Sequence, residues 1–280
     1  MVVLVTGSSG QLGQSLQYLA PNYQEIQFVF CTSADLNITD IAQCHAVFKQ
    51  YQPDYCINAA AYTAVDKAES EPEKAQIINV IGAKNIAEVC KAYNTVLLHI
   101  STDFVFNGTK KSPYTEEDIP NPTGVYGKTK REGEIAVQQT WEKHFIVRTS
   151  WVYSQFGHNF MKTMLRLASE RDTISVVNDQ IGTPTNAVDL ADALVQIILT
   201  DNRQTTTDNF GIYNFSNEGQ CSWYDFAKKI FEINKTQIEL KAIPTSSFPT
   251  PAQRPAYSVL DKSKIKNTFG LSIKNWDACL

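Results

Sequence analysis

The sequence has no cluster of cysteines, no block of basic residues and no long apolar run. Its six cysteines are scattered over 280 residues, with no Cys-x-x-Cys pair, so neither a disulfide framework nor a zinc site is expected. The net charge is −4, which gives no electrostatic footprint for nucleic acid. Nothing resembles a signal peptide or an apolar membrane span. These absences favour a cytoplasmic protein with no nucleic acid, membrane or metal partner.

What is present begins with a strand, a glycine-rich turn and a helix. Val2 to Val5 is a short apolar run, and Gly7, Gly10 and Gly13 follow it. These glycines stand where a tight turn, a close backbone approach and close helix packing require them. Since the N-terminus of a helix after such a turn binds a pyrophosphate, the segment predicts a dinucleotide site. A glycine-rich surface turn is the alternative interpretation.

The end of the second predicted strand bears on which dinucleotide binds. Ile26 to Cys31 is followed by Thr32 and Ser33, and the first acid, Asp35, comes late. An acid directly at the strand end would bind the ribose hydroxyls of NAD and repel the 2′-phosphate of NADP. Its absence favours NADPH, although no arginine stands there to bind that phosphate.

Strands and helices alternate along the rest of the chain. Asp54 to Ala61 and Val96 to Ile100 predict two further strands, and Ala75 to Tyr93 has the apolar spacing of a helix. This alternation predicts an α/β fold, a Rossmann-like doubly wound parallel sheet with a smaller C-terminal substrate-binding lobe. We assign the residues as follows: 1–155 to the NAD(P)-binding Rossmann domain, 181–212 returning to it, and 156–180 with 213–280 to the lobe.

Three polar segments are expected at the surface. The charges of Asp66 to Glu73 predict a solvated face, and Asn107 to Pro122, rich in Gly, Pro and acids, predicts a mobile loop. Asp201 to Asn209 predicts an exposed connector. His99 lies inside an apolar strand, so we expect a hydrogen-bonded core histidine rather than a catalytic one.

Tyr126 and Lys130 carry the strongest signal for chemistry. Residues four apart lie one helical turn from each other. A phenol has an unperturbed pKa of about 10, and a nearby ammonium lowers that pKa, so the pair can exchange a proton with a substrate oxygen. A tyrosine packed on a solvated lysine stem is the alternative for an isolated pair. The glycine turn and the strand end at Thr102, whose hydroxyl can bind a carbonyl oxygen, favour the catalytic interpretation.

These segments together resemble the extended short-chain dehydrogenase/reductase superfamily. Longer segments are similar to the dTDP-4-dehydrorhamnose reductase family within it: residues 59–69, 101–106, 148–153, 178–185 and 251–255. The resemblance covers nearly the whole chain. It implies hydride transfer from a nicotinamide to C4 of dTDP-4-dehydro-6-deoxy-L-mannose (dTDP-4-dehydro-L-rhamnose), giving dTDP-L-rhamnose.

The resemblance also implies roles for single residues. Tyr126 would protonate the new alkoxide, Lys130 would hold the nicotinamide ribose and lower the pKa of the tyrosine, and Thr102 would orient the carbonyl. The implied substrate contacts are Thr102, Asp103, Trp151 and Arg254, the last reaching the diphosphate. For Trp151, stacking on a sugar and simple packing are equally good interpretations. The implied cofactor is NADPH, with NADH as the alternative, bound by Gly7, Gly10, Gln11, Leu12, Gly13, Asn37, Ile38, Ala61, Tyr62, Thr63, Tyr126 and Lys130.

Two departures from the family pattern are visible. Phe104 stands where the family often has tyrosine, which removes a hydroxyl near the sugar. Some members of the family use acids for a magnesium-linked dimer, and Ser15 and Val188 stand where two of those acids are expected. No metal is therefore predicted, and a homodimer is left open.

Two other functions remain open at this point. A regulatory subunit of methionine adenosyltransferase shares the fold and binds NADP without catalysis, but the intact Thr102, Tyr126 and Lys130 argue against that interpretation. An epimerase or dehydratase acting on another nucleotide sugar usually needs further acid–base residues. Asp103 followed by Phe104 supplies no acidic pair for such a reaction.

Overall fold

The computed structural model describes residues 1–203 and 209–280. In its first half, strands and helices alternate, and apolar strands are followed by amphipathic helices. The elements are β1 Val2–Thr6, α1 Gln11–Leu19, β2 Gln27–Cys31, α2 Ile41–Tyr51, β3 Tyr55–Asn58, α3 Val65–Ala68, α4 Pro72–Gln76, α5 Ala83–Tyr93, β4 Val96–Thr102, α6 Val125–Thr140 and β5 His144–Thr149.

The second half contains shorter strands. Its elements are β6 Val152–Tyr153, α7 Phe160–Glu170, β7 Thr173–Val177, β8 Ile181–Gly182, β9 Thr185–Asn186, α8 Ala187–Arg203, β10 Gly211–Asn214, β11 Cys221–Ser222, α9 Trp223–Ile233, β12 Glu239–Ile243 and α10 Ser263–Phe269. None of the helices in the described part of the chain is both long and apolar enough to cross a bilayer.

The central sheet has six parallel strands in the order β2-β1-β3-β4-β5-β10. The chain moves outward from β1 to β2 and then returns to the other side of β1 with β3. Ligands of open α/β sheets bind beyond the carboxyl ends of the strands at such a switch point. The prediction of a doubly wound parallel sheet is therefore confirmed, and the switch point lies between Thr6 and Asn58, which are paired in register.

Both faces of the sheet are buried because side chains alternate along each strand. Val3 and Val5 face a core that α1 and α8 cover, and Leu4 faces a second core under α2, α5 and α6. Parallel strands that are buried on both sides read as continuous apolar runs, which explains the sequence of β1. The two cores fix the strand ends that form the site.

A smaller cluster lies in the C-terminal half. β7 and β12 form a parallel pair, and α7 and α9 pack against it through Met164, Phe226 and Ile230. The start of α9 is fixed by a capping box between Ser222 and Asp225, which satisfies N–H groups that a helix end leaves open.

The division into a Rossmann domain and a lobe stays a prediction. One element that crosses the predicted boundary at 212/213, and one element from the range assigned to the lobe, pack with the central sheet. β10 joins the sheet beside β5, and Ile265 and Phe269 of α10 belong to the core that α1 and α8 cover. The chain after residue 213 therefore contributes to both clusters.

The segment from Asp66 to Glu73 is not simply a solvated face. The Asp66 carboxylate pairs with Arg254, Glu69 accepts a hydrogen bond from the backbone N–H of Val125 at 2.8 Å, and Glu71 accepts one from Tyr62 Oη at 2.8 Å. These acids fix other elements around the site, which no local charge pattern indicates.

The other two polar segments are each anchored at one point. The loop from 107 to 122 is anchored by Tyr114, which is buried, stacks on Phe106 and pairs with Leu260. Asp201 belongs to α8 and accepts a hydrogen bond from Tyr55 Oη at 2.8 Å. Residues 204–208 of the predicted connector lie outside the described residues.

Candidate active site

The glycine turn after β1 brings two backbones into contact. Gly7 has a φ of +64°, and a Cβ on it would lie 2.8 Å from the Ala60 backbone. A Cβ on Gly13 would lie 2.4 Å from Ser8 Cα. Only glycine fits at these two positions, so the turn stays tight and the N-terminus of α1 faces the switch point of the sheet. A helix N-terminus of this kind binds a pyrophosphate.

A cleft of about 950 Å³ lies at this edge of the sheet. It receives side chains from the glycine turn, the ends of β3 and β4, the start of α6 and the C-terminal half. The sequence-predicted residues that line it are Gly7, Gly10, Gln11, Leu12, Gly13, Asn37, Ile38, Ala61, Thr63, Thr102, Asp103, Tyr126, Lys130, Trp151 and Arg254. Its volume lies at the upper end of the range for small-molecule and cofactor sites.

Tyr62 is the predicted site residue that the structure places elsewhere. Its side chain is buried and its hydroxyl donates to Glu71, while its backbone N–H donates to Asn79 Oδ1 at 2.9 Å. The side chain therefore points toward α4, away from the cleft. The small residues Ala59 to Ala61 after β3 do not indicate in which direction the side chain of Tyr62 points.

The sheet brings Thr102 and Tyr126 together. Thr102 is the last residue of β4, and its Oγ1 lies 3.0 Å from Asp103 Oδ1 and accepts a hydrogen bond from the Phe104 N–H at 3.2 Å. Tyr126 lies in the first turn of α6 and forms a hydrogen bond with Thr102. The Phe104 ring meets the Tyr126 ring edge-on, with centroids 5.6 Å apart, so it fixes the phenol without a hydroxyl.

The pKa of Tyr126 moves opposite to the expected direction. Burial raises the pKa of the phenol to about 12, the hydrogen bond with Thr102 lowers it in part, and the charge of Asp103 raises it further. The groups that shift this pKa do not include Lys130, whose Nζ donates to the Ile100 carbonyl at 2.6 Å. The phenol is therefore protonated at neutral pH.

Lys130 is held inside the protein. Its side chain is 2% exposed, and burial lowers the pKa of its ammonium to about 8, while the charge of Glu134 raises it in part. A lysine with a pKa near neutrality changes its protonation state within the physiological range. The ammonium remains mostly charged at pH 7.

Asp103 lies directly behind Thr102. It is 1% exposed, and burial raises the pKa of its carboxyl to about 6, although hydrogen bonds from Ser258 and Thr102 oppose the rise. A carboxylate in this position aligns the Thr102 hydroxyl. It also places a titratable group beside the site.

His99 is a core residue, as predicted. Asn58 Nδ2 donates to its Nδ1 at 3.2 Å, and Asn58 Oδ1 accepts from Thr6 Oγ1 at 2.7 Å. Burial and the charge of Lys130 hold the pKa of the imidazole well below its usual value. Its Nε2 has no hydrogen-bond partner within the described chain, so the histidine is neutral and partnered on one nitrogen.

Trp151 packs on Trp223, which no sequence motif indicated as a site residue. Its indole stacks on Trp223 with centroids 3.6 Å apart and an interplanar angle of 12°. Trp151 has a φ of +47°, and a Cβ on Gly182 would lie 2.5 Å from its ring. Trp223 also lines the cleft. No local pattern connects these three distant residues, because only the fold brings them together.

Arg254 is already paired within the protein. Its guanidinium donates to the two Asp66 carboxylate oxygens at 3.0 and 2.8 Å and to Thr250 Oγ1 at 2.6 Å. This pairing lowers the pKa of Asp66. Arg254 lines the cleft, where its guanidinium is paired with a carboxylate; its contact with a diphosphate stays a prediction.

Two further side chains are committed to protein contacts. Gln11 Oε1 accepts from Asn159 Nδ2 at 3.0 Å and from Ser154 Oγ at 3.3 Å, which leaves its backbone N–H for a ligand. Thr32 donates through its N–H and its hydroxyl to the Asp35 carboxylate, at 2.9 and 2.7 Å. Asp35 therefore bonds back to the residue after β2, but the strand itself ends at Cys31 without an acid, and Asp35 does not line the cleft.

Within the described residues, no group of three or more His, Cys, Asp or Glu side chains could hold a metal ion. Ser15 is buried and donates to the Gln11 carbonyl at 2.9 Å. Val188 is partly buried against the core under α1 and α8.

The fold and the cleft together define a class of protein. A glycine turn leads into a helix at the switch point of the sheet, and a threonine, a tyrosine and a lysine meet beside it. This is the arrangement of a short-chain dehydrogenase/reductase.

Comparison with known proteins identifies the family within this class. The chain matches the family model described as RmlD substrate binding domain over residues 1–280. It is 42% identical to the dTDP-4-dehydrorhamnose reductase of Aggregatibacter actinomycetemcomitans, covering 99% of this chain and 96% of the relative. The chain therefore belongs to the dTDP-4-dehydrorhamnose reductase family of oxidoreductases, which confirms the resemblance seen in the sequence.

Solved structures agree with this assignment. The crystal structure of dTDP-4-dehydrorhamnose reductase from Bacillus anthracis in complex with NADP has a TM-score of 0.93 and 40% identity, covering 99% of this chain and 96% of that one. The Clostridium acetobutylicum orthologue also has a TM-score of 0.93 and 40% identity, covering 100% of this chain and 96% of its own.

Proposed function

We propose that the protein reduces dTDP-4-dehydro-L-rhamnose to dTDP-L-rhamnose with NADPH. The observation that carries this proposal is the meeting of Thr102, Tyr126 and Lys130 at one cleft beside a glycine turn. Family membership and the NADP complex of the Bacillus anthracis relative support the choice of substrate and cofactor. When bound, the cofactor supplies the hydride.

The residues of the cleft supply the proton. Tyr126 acts as the general acid, and its raised pKa of about 12 ensures that the phenol carries the proton before the alkoxide forms. A sugar alkoxide is a stronger base than a phenolate, so the transfer is downhill. Thr102, whose hydroxyl donates to Asp103 Oδ1 in the structure, would turn that hydroxyl toward the same oxygen and keep it within reach of the phenol.

Lys130 holds the nicotinamide ribose and stabilises the phenolate that forms. Its ammonium sits one helical turn from Tyr126 and is held by the Ile100 carbonyl. A positive charge close to the phenolate lowers the cost of the proton transfer. Its two roles give Lys130→Met two expected effects, weaker cofactor binding and slower turnover.

The substrate side of the cleft is formed by the C-terminal half. The stacked Trp151 and Trp223 offer an apolar wall for the deoxysugar, and Arg254 offers the cation for the diphosphate. Asp103 aligns Thr102 from behind. A cytoplasmic location and a homodimer stay predictions.

The test is NADPH oxidation with enzymatically generated dTDP-4-dehydro-L-rhamnose, with NADH run beside it. We expect oxidation, and we expect Tyr126→Phe to slow turnover by about 10²-fold or more, because general acids typically contribute that much. The variant retains the ring contact with Phe104, so its Kd for NADPH should stay within about twofold of the native value.

Two results would contradict the proposal. Unchanged turnover in Tyr126→Phe would remove the phenol from the mechanism. NADPH binding without any oxidation would point to a regulatory NADP-binding subunit or to another keto sugar, and a panel of nucleotide sugars would separate these two.

A further inference from the structure

A buried carboxylate lies behind the catalytic residues and has no place in the mechanism above. Glu134 is one turn beyond Lys130 on α6 and is fully buried. Its Oε1 accepts from Ser101 Oγ at 2.5 Å and from Arg148 Nε at 2.9 Å, and its Oε2 accepts from Arg148 at 2.8 Å. Isolated carboxylates are costly to bury, so this one needs its partners.

The contacts of Glu134 join three elements that carry the site. Ser101 precedes Thr102 on β4, Arg148 lies on β5, and Glu134 shares α6 with Tyr126 and Lys130. Arg131 adds a further hydrogen bond at 2.8 Å from the more exposed side. Burial alone would raise the pKa of the Glu134 carboxyl, but the hydrogen bonds and charge of Arg148, with those of Ser101 and Arg131, lower it. The side chain is therefore an anion.

The protonation state of Lys130 depends on the charged groups that surround it. From β4, His99 faces Lys130 and is neutral, because burial and Lys130 itself hold its pKa well below the usual value. From α6, Tyr126 is a protonated phenol at neutral pH. The π-helical turn Ile77–Gly82, between α4 and α5, faces α6 with the uncharged Asn79, whose Nδ2 donates to Thr129 Oγ1 at 3.1 Å. Asp103 follows the end of β4 as a buried carboxyl with a pKa of about 6, and the guanidinium groups of Arg131 and Arg148 are bonded to Glu134. Glu134 is the anion that lies one turn from the buried ammonium on its own helix.

We propose that Glu134 is a positioning residue that keeps Lys130 protonated and aligned in the closed interior of the site. This inference rests on the proposed role of Lys130. Burial favours the neutral amine, and the carboxylate one turn away on the same helix face opposes that effect. The same carboxylate holds the end of β4 against α6, so Thr102 and Lys130 keep their separation.

The test is the titration of Lys130 in the full-length protein, followed by NMR of lysine labelled with ¹³C at Cε and assigned with Lys130→Arg. In Glu134→Gln the side chain keeps its shape and loses its charge. We expect the Lys130 midpoint to fall by about one pH unit, in line with the 1–3 units that an adjacent opposite charge contributes.

Two variants control for the charge change and for folding. Glu132→Gln removes the same charge from the exposed face of α6 and should leave the Lys130 midpoint unchanged. Glu134→Gln leaves Arg148 buried without its partner, which can unfold a protein. Glu134→Gln/Arg148→Met removes both buried charges, and because Glu134 lies one turn from Lys130 on the same helix whereas Arg148 comes from β5, the Lys130 midpoint should fall here as well.

The pH profile of turnover gives a second measure of the Lys130 pKa. The ammonium is required, so activity should fall as pH rises through the Lys130 pKa, and in Glu134→Gln that fall should begin about one unit lower. Glu134→Asp, which keeps the charge, should restore the native profile in part. A purely structural Glu134 would instead tolerate Gln better than Asp.

The outcomes separate the two proposals. An unchanged Lys130 midpoint in a folded Glu134→Gln variant overturns the inference, whatever the enzyme catalyses. A shifted midpoint together with full activity in Lys130→Met supports the inference and overturns the proposed role of Lys130.

Discussion

At the scale of single residues, burial decides the chemistry of the site more than neighbouring charge does. Burial raises the pKa of the Tyr126 phenol to about 12 and that of the Asp103 carboxyl to about 6. It lowers the pKa of the Lys130 ammonium to about 8. Each shift disfavours the charged form, as removal from water requires. The site therefore carries a cost in stability that depends on pH.

Asp103 gives a prediction about that cost. The folded-state pKa of its carboxyl is about 6, above the unfolded value of about 3.9, so the folded state binds this proton more tightly. Its contribution to stability is fully present below pH 4 and is lost as pH rises through 6, a change of about 3 kcal/mol. Asp103→Asn, which does not titrate, should be more stable than the native protein at pH 8 and should lose that advantage at pH 4.5.

Urea unfolding of both proteins at the two pH values measures the difference. The other titrating groups are common to both chains, so they cancel in the comparison. A difference in unfolding free energy that does not vary with pH would mean that the Asp103 carboxyl is not held with a raised pKa.

At the scale of elements, two contacts from the C-terminal half shape the substrate side of the cleft. The segment from Thr250 to Arg254 is tied to the start of α3 by Asp66, which also accepts from the Ala252 N–H at 3.2 Å. Gly182 in β8 leaves room for Trp151 to lie against Trp223. Both contacts join segments far apart in sequence and aim a side chain into the cleft.

Loss of the Asp66 carboxylate tests the first contact. In Asp66→Asn, Arg254 keeps its bonds to Thr250 and Ala252 but loses its bidentate partner, so the guanidinium is less well oriented. We expect KM for the sugar nucleotide to rise about fivefold to tenfold, equivalent to ~1 kcal/mol, with Kd for NADPH unchanged. A fall in KM would show instead that Asp66 competes with the substrate diphosphate for Arg254.

An added methyl group tests the second contact. The Cβ of Gly182→Ala would lie 2.5 Å from the Trp151 ring, so the indole must move and the stack with Trp223 must open. We expect kcat/KM for the sugar nucleotide to fall by about tenfold or more, with NADPH binding retained, and the tryptophan fluorescence to change. Native fluorescence and native kcat/KM together would show that the Trp151–Trp223 wall does not bind the sugar.

At the scale of the whole molecule, the parallel sheet brings the strand ends of the site together, and the C-terminal half forms the other side of the cleft. Strands β1, β3 and β4 end at one edge, so residues near positions 7, 60 and 102 meet there. Gln11 then links the start of α1 to Ser154 and Asn159, beside α7. The cofactor turn and the smaller cluster are thus connected through one side chain.

This connection predicts how the molecule unfolds. NADPH at about 100 times its Kd should stabilise the folded state by ~2.7 kcal/mol and should raise Tm by roughly 5–10 °C for a chain of this size. Because both clusters meet at the cleft, calorimetry should show one transition that moves as a whole. A second transition unaffected by NADPH would mean that the C-terminal cluster unfolds independently.

The sequence alone determined the features that depend on neighbours along the chain. The strand, glycine turn and helix at the start, the end of β4 at Thr102 and the spacing of Tyr126 and Lys130 follow from local periodicity and backbone geometry. The alternation of elements was enough for the fold class, because parallel strands need helical crossovers. Side-chain partners were not determined in this way.

Only the tertiary structure decided what surrounds those residues. The Asp66–Arg254 pair, the Trp151–Trp223 stack and the Glu134–Arg148 contact join residues from different elements, and Tyr62 turns away from the cleft to reach Glu71. The direction of the Tyr126 pKa also depends on burial that distant segments provide. Local sequence fixes which groups are present, but desolvation and pairing are set by the long-range packing that encloses them.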